Sequence, residues 1–275
     1  MLGRLESRTD DVMSESLGIA PGAGVALITL FASDGTLLAG KSAELAVSLV
    51  DAGAASVLVA GTVGEYYTLS DQERLVLIEA VRLAVPPEIP VIAHVGGVPT
   101  ERAEQLASGA AACGADALIA LAREIGDLKA FYARIGQASG GLPLLAYHLP
   151  QAGNIVELAD LPTLGVRAIK DSSGEAGRLA MEQFTLDLEV YTGAANLLGL
   201  AHDIGAAGAL VGLANVHPEL CVSAFAGDSD AQRTLARVGT GSGRDFPGAL
   251  KHLTAERWGY APYSRTPSGL SVGQV

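Results

Sequence analysis

Basic side chains are scarce in this chain. It carries 18 Lys and Arg against 30 Asp and Glu, a formal net charge of −12 over 275 residues. No basic patch stands out, which excludes nucleic acid and anionic membrane surfaces as expected partners. Cysteine is nearly missing. Cys113 and Cys221 stand far apart, each in a helix-like apolar stretch, and are expected as reduced core residues rather than a disulfide or metal pair. No His, Cys and carboxylate cluster has metal-ligand spacing, so no metal is expected. No apolar run is long enough to span a bilayer. The N-terminal stretch with Arg4, Glu6, Arg8, Asp10 and Asp11 lacks the apolar region of a signal peptide. A soluble, cytoplasmic protein is expected. Charged residues are only 17% of the chain, too few for long disordered segments.

What is present is a large apolar content, 49% of residues, ample for the core of one large domain. Short apolar runs alternate with helical patterns, the signature of a βα series and a parallel sheet. The runs predict strands at 25–31, 56–60, 90–94, 117–121, 143–147, 166–170, 188–192 and 209–212. That is the number a (β/α)8 TIM barrel needs. Helices are expected near 41–51, from Ser70, and over 100–113, 127–137, 195–204 and 218–225. Ser70 with Glu73 reads as a capping box, followed by apolar Leu75, Val76, Ile78 and Val81. The expected division is a lead-in over 1–22, a barrel over 23–227 and a C-terminal helical appendix over 228–275. That appendix reads as two short helices split by a glycine-rich break at 239–243, too small to bury its own core.

In such a barrel the reactive groups sit at the carboxyl ends of the strands. Those ends carry Gly61, Thr62 and Glu65 after the second strand, and His94 at the third. Tyr147 and His148 mark the fifth, Lys170 the sixth and Gly193 the seventh. Lys170 is the most informative. A lysine closing a buried strand costs free energy unless it loses its proton or finds a partner, and a neutral amine attacks carbonyl carbon. It reads either as an imine-forming nucleophile or as an ordinary lysine, solvated or paired with Asp171. Tyr147 is either a proton shuttle beside it or a strand-end aromatic with its hydroxyl in water. Ala60-Gly61-Thr62-Val63-Gly64-Glu65 can turn backbone N–H groups and the Thr62 hydroxyl toward a carboxylate, or can be a tight turn whose Glu65 caps local backbone. His94 and His148 either face the substrate or are hydrogen-bonded residues around it.

These residues, in this order and spacing, resemble a known family. The landmarks are Leu30-Phe31 with Asp34-Gly35, Gly61-Thr62-Val63-Gly64-Glu65 with Leu69, Tyr147-His148-Leu149-Pro150 and Ile169-Lys170-Asp171-Ser172-Ser173-Gly174. Gly205-Ala206-Ala207-Gly208 and Asn215 with Pro218 follow. From about residue 24 onward the chain resembles the pyruvate-dependent class I aldolases that include dihydrodipicolinate synthase and N-acetylneuraminate lyase. The resemblance implies that Lys170 forms an imine with pyruvate, that Tyr147 relays protons and that the Gly61-Thr62 turn holds the pyruvate carboxylate. It implies a (β/α)8 barrel with a C-terminal helical appendix, no cofactor beyond the covalent imine through Lys170, and a homo-oligomer, tetramer or dimer.

The departures carry information too. Val63 stands where the family has a second hydroxyl residue. Pro150 is followed by Gln151-Ala152-Gly153, without the arginine with which the synthases bind a second carboxylate. Residues 121–125 contain no tyrosine, where the synthases have a Pro-Tyr-Tyr loop. Val91-Ile92-Ala93-His94-Val95-Gly96-Gly97 is closer to the lyase pattern, yet Gly193-Ala194-Ala195-Asn196 lacks the acidic pair that binds sugar hydroxyls. The donor half is kept and the acceptor half has lost its charges. The expected reaction makes or breaks a C–C bond between pyruvate, or a related 2-keto acid, and a small, relatively apolar aldehyde. Val63, Ala194, Ala195 and Leu210 would form its pocket, with His94, His148 and Gly193 as further substrate contacts. A Schiff-base dehydratase or decarboxylase, and a non-catalytic keto-acid-binding protein, are the alternatives.

Overall fold

Short apolar strands separated by helix-length spacers bury both faces only when the strands run parallel and the helices cover them. The computed structural model, which describes residues 19, 21–238 and 247–269, has that arrangement. The glycine-rich break at 239–243 and most of the 1–22 lead-in lie outside the described residues. Strands β1 (Gly22–Ala26), β2 (Val57–Val59), β3 (Val91–His94), β4 (Ala117–Ala120), β5 (Leu144–His148), β6 (Ala168–Asp171), β7 (Glu189–Thr192) and β8 (Gly208–Val211) close in chain order. All pairs are parallel, and β8 completes the ring against β1. Outside lie α1 (Ala39–Asp51), α2 (Asp71–Ala84), α3 (Thr100–Ala112), α4 (Leu128–Ala138), α5 (Ala176–Thr185), α6 (Leu198–Asp203) and α7 (Pro218–Phe225). The appendix contributes α8 (Ser229–Val238) and α9 (Gly248–Trp258). No described helix is long and apolar enough to cross a membrane.

Side chains alternate between two cores. Leu58, Ile92, Ile119, Leu145, Ala168 and Leu210 fill the barrel. Their neighbours Val57, Val59, Val91, Leu118, Ile169 and Val211 meet the helices. Each fully buried branched side chain contributes about 1.5–3 kcal/mol. The expected capping box is present: Ser70 Oγ accepts from the Glu73 N–H at 3.2 Å, and Glu73 Oε2 accepts from the Ser70 N–H at 2.9 Å. Cys113 and Cys221 are both free, and burial pushes the Cys221 thiol up to about 12.

Two elements differ from the sequence expectation. The first strand, expected at 25–31, occupies Gly22–Ala26. Gly24 marks it because a Cβ there would meet Leu210 Cδ2 at 2.9 Å, while glycine is a weak strand signal. The ladder stops after Ala26 because Asn215 takes over the pairing: Ile28 N–H donates to Asn215 Oδ1 at 3.1 Å, and Asn215 Nδ2 donates to Ala26 O at 2.7 Å. Residues 27–31 stay buried without being strand. Helix α5 has no counterpart among the expected helices. Its buried face is Leu179 and Glu182, whereas Met181 and Phe184 are exposed, so its apolar pattern does not report its packing.

Candidate active site

Strand alternation decides what Lys170 can touch. Lys170 points into the barrel with Ala168, and Asp171 points out. In register it lies between Tyr147 on β5 and Tyr191 on β7. Lys170 is 4% exposed, and its Nζ sits 4.5 Å from the centroid of the Tyr147 ring. An ammonium over an aromatic face is attracted by about 0.5–2 kcal/mol. Asp171 is occupied elsewhere. Its carboxylate accepts from the Ser173 N–H at 2.8 Å and the Ser173 hydroxyl at 2.9 Å. The pairing of Lys170 with Asp171 is thereby ruled out.

The Tyr147 hydroxyl is 3.4 Å from Thr62 Oγ1, and its side chain is buried rather than in water. Asn154 Nδ2 donates to the Tyr147 carbonyl and fixes the strand end. The turn that carries Thr62 is bracketed by two non-glycine residues in the left-handed region, Ala60 at φ 54° and Glu65 at φ 57°. Thr29 Oγ1 donates to Gly64 O at 2.6 Å, and a Cβ at Gly64 would meet Leu27 O at 2.9 Å. Among the described residues the N–H groups of Thr62 and Val63 have no backbone carbonyl to donate to. Both residues line the cavity. The Glu65 carboxylate does not cap this turn; its partners are Lys251, Ser264 and Thr266 of the C-terminal segment.

A cavity of about 530 Å³ opens over Lys170. Thr62, Val63, Tyr147, Lys170, Gly193 and Leu210 line it, as do Ala194 and Ala195. Gly61, His94 and His148, expected as substrate contacts, are not among its lining residues. The Gly61 carbonyl serves the turn, accepting from the Tyr66 N–H at 3.3 Å. His94 packs against the Tyr66 ring at 4.6 Å and edge-on to Tyr147 at 6.3 Å, which separates it from the cavity. Burial, Arg74 and Lys170 together hold its imidazole well below the usual histidine range. His148 alternates outward, and its Nδ1 accepts from the Val156 N–H at 3.1 Å. Burial lowers it to about 4. Sequence reasoning missed Ser172, Leu213 and Leu250 as lining residues. Ser172 was legible as the second residue after Lys170. Leu250 was not, because nothing local in α9 says that it reaches back over the barrel.

A second buried cluster lies on the outer side of β6. Glu182 of α5, fully buried, pairs with Arg178 at 2.8 Å, and Arg178 donates to the Val156 carbonyl at 2.6 Å. Burial raises the Asp171 carboxyl, and burial with the nearby Asp171 raises Glu182 to about 8. One cation thus serves two buried carboxyls. Among the described residues no group of three or more His, Cys, Asp and Glu is placed to hold a metal ion.

Residues 20–238 match the Dihydrodipicolinate synthetase family. An uncharacterized DapA-like lyase of Halobacterium salinarum is 32% identical over 252 residues, 84% of this chain and 83% of the relative. The 4-hydroxy-tetrahydrodipicolinate synthase 1 of Streptomyces coelicolor is 32% identical over 228 residues, 77% of this chain and 74% of the synthase. The N-acetylneuraminate lyase from Fusobacterium nucleatum, complexed with pyruvate, superposes with a TM-score of 0.81 at 20% identity, covering 91% of each chain, a likeness of fold.

Two tests follow from this geometry. A Cβ at Gly193 would meet Lys170 Cε at 3.0 Å and run into the Ser172 hydroxyl. Gly193→Ala is expected to fold, because the φ is ordinary, and to lose at least roughly tenfold in amine reactivity toward keto acids; wild-type reactivity in reductive trapping would contradict the crowding. Glu182 titrates at about 8 folded against an ordinary 4.5. Between those values the folded chain holds the extra proton, so stability falls as pH rises. Melting temperatures at about pH 6.5 and about pH 8 should fall for the wild type and fall less for Glu182→Gln. Parallel slopes for the two proteins would remove Glu182 as the source.

Proposed function

The chain belongs to the dihydrodipicolinate synthetase family, and from that premise we propose that it is a Schiff-base aldolase or lyase acting on pyruvate or a related 2-keto acid and an uncharged, relatively apolar aldehyde. The observation that carries the proposal is the juxtaposition at the barrel mouth. Lys170 Nζ lies over the Tyr147 ring at 4.5 Å, and the Tyr147 hydroxyl meets Thr62 Oγ1 at 3.4 Å.

The steps follow from what these groups can do. The free N–H groups of Thr62 and Val63 and the Thr62 hydroxyl receive the keto-acid carboxylate. Neutral Lys170 Nζ attacks the C2 carbonyl, and Tyr147 supplies the proton with which the C2 oxygen leaves as water. The cationic imine withdraws electrons from C3, whose proton passes to Tyr147 and leaves an enamine. In the synthetic direction C3 then bonds to the aldehyde carbon while the aldehyde oxygen takes the proton held by Tyr147, and water hydrolyses the imine, freeing the amine and returning a proton to the phenol. Cleavage runs these steps in reverse. Val63 brings no hydroxyl to the relay, so Thr62 is the phenol's partner.

The acceptor half supports an uncharged partner. Among the described residues that line the cavity, Lys170 has the one charged side chain. Val63, Leu149, Leu213 and Leu250 give an apolar wall, and Ser172, Ser173, Gln151 and Asn196 add uncharged polar groups. A second carboxylate would enter without a cation, a desolvation cost of several kcal/mol.

Two outcomes are expected. Incubation with pyruvate and borohydride, followed by peptide mass analysis, should place the reduced adduct on Lys170; an adduct on another lysine, or turnover by Lys170→Arg, would refute the assignment. The purified protein should release pyruvate from a 2-keto-4-hydroxy acid with an apolar chain. Tyr147→Phe should slow that release by roughly two to four orders of magnitude while leaving the fold intact. A fully active Phe variant would return Tyr147 to a packing role.

A further inference from the structure

We propose that Lys251, in the C-terminal helix α9, is a positioning residue for the keto-acid carboxylate, acting through Glu65 on the Thr62–Val63 turn. The inference rests on the aldolase reading above.

Glu65 follows Thr62 by three residues and is held at φ 57°. Its carboxylate is fully buried, and its partners come from the far end of the chain. Lys251 Nζ pairs with Oε2. Oε1 accepts from the Ser264 hydroxyl at 2.7 Å, the Thr266 N–H at 2.8 Å and the Thr266 hydroxyl at 2.6 Å. Lys251 is equally buried. Its Nζ also donates to the Tyr263 carbonyl at 3.0 Å and lies 4.4 Å from the Phe31 ring centroid. Arg265 sits over the same ring at 4.5 Å and pairs with Glu73 on α2.

A buried carboxylate satisfied this fully does not move without leaving charge unpaired. The residue that bears it is also in a backbone conformation that only its surroundings maintain. Both constraints act three residues from the N–H groups offered to the substrate. Burial pushes the Glu65 carboxyl upward, but Lys251, Thr266 and Ser264 more than offset that and keep it ionised. The same helix touches the cavity directly. Leu250 lines it, and a Cβ at Gly212 would meet both Val63 at 3.0 Å and Leu250 at 3.4 Å.

The test is borohydride trapping as a function of pyruvate concentration. Lys251→Met should raise the half-saturating concentration at least tenfold, with a much smaller fall in the plateau rate. Glu65→Gln added to Lys251→Met should recover most of the loss, because no lone buried charge remains; a residue that merely fills space would show no such rescue. Ser264→Ala removes one donor, threatens the fold less and should give a several-fold rise. A folded Lys251→Met protein with wild-type half-saturation overturns the proposal. Should that variant not fold, wild-type half-saturation in Ser264→Ala overturns it equally. A wild-type protein that traps no pyruvate at all defeats the aldolase reading itself and this inference with it.

Discussion

Neighbouring residues of a strand face opposite sides of a sheet, and in β6 this separates an amine from the carboxylate beside it. Lys170 turns into the barrel and Asp171 turns out toward α5. Without that separation the pair would neutralise each other, and the amine would be a salt-bridged lysine of no chemical interest. With it, the inner face has an amine that lies over the Tyr147 ring, away from any carboxylate of its own strand. The outer face has the opposite problem, two carboxyls near one Arg178, and burial together with Asp171 raises Glu182 to about 8. The barrel wall thus insulates the two charge problems from each other. A slip of one residue in the β5–β6 register would exchange them.

Much of this was legible in the sequence, and what was legible shares a physical cause. Strand spacing, the Ser70 capping box and the strand-end position of Lys170 are local or periodic, so hydrophobic pattern and short-range chemistry report them. The parts that were not legible depend on partners far away. Both histidines stand at strand ends, but His94 packs against the Tyr66 ring, and His148 faces outward, where the Val156 N–H donates to it. Helix α5 hid because its buried face is Leu179 and Glu182, a glutamate paired with Arg178 one turn earlier. Glu65 was visible as a candidate, but Lys251, 186 residues on, has no local signature that pairs the two.

The two halves of the site also differ in what builds them. In the proposed reaction the donor half, Lys170, Tyr147 and Thr62, comes from strand ends and one short turn. The acceptor half borrows Leu250 from α9 and Leu213 from the segment after β8. Apolar contacts tolerate substitution of similar volume better than a hydrogen-bonded cradle does. On the proposed reading, substitutions in the apolar wall would alter acceptor choice at less cost than substitutions around the keto acid.

The pairing of β1 with β8 has a consequence for how the chain is made. Gly22 lies opposite Gly208 and Val25 opposite Val211, so the ring cannot shut until almost the whole barrel sequence has left the ribosome. A nascent chain that has reached β7 presents two open sheet edges, the arrangement most apt to recruit another strand or a chaperone. Non-local closure of this kind is intrinsically slow. Gly22 and Gly24 give the first of those edges a low strand propensity, which weakens its pairing with a foreign strand. The feature that disguised β1 in the sequence is one that disfavours edge-to-edge association.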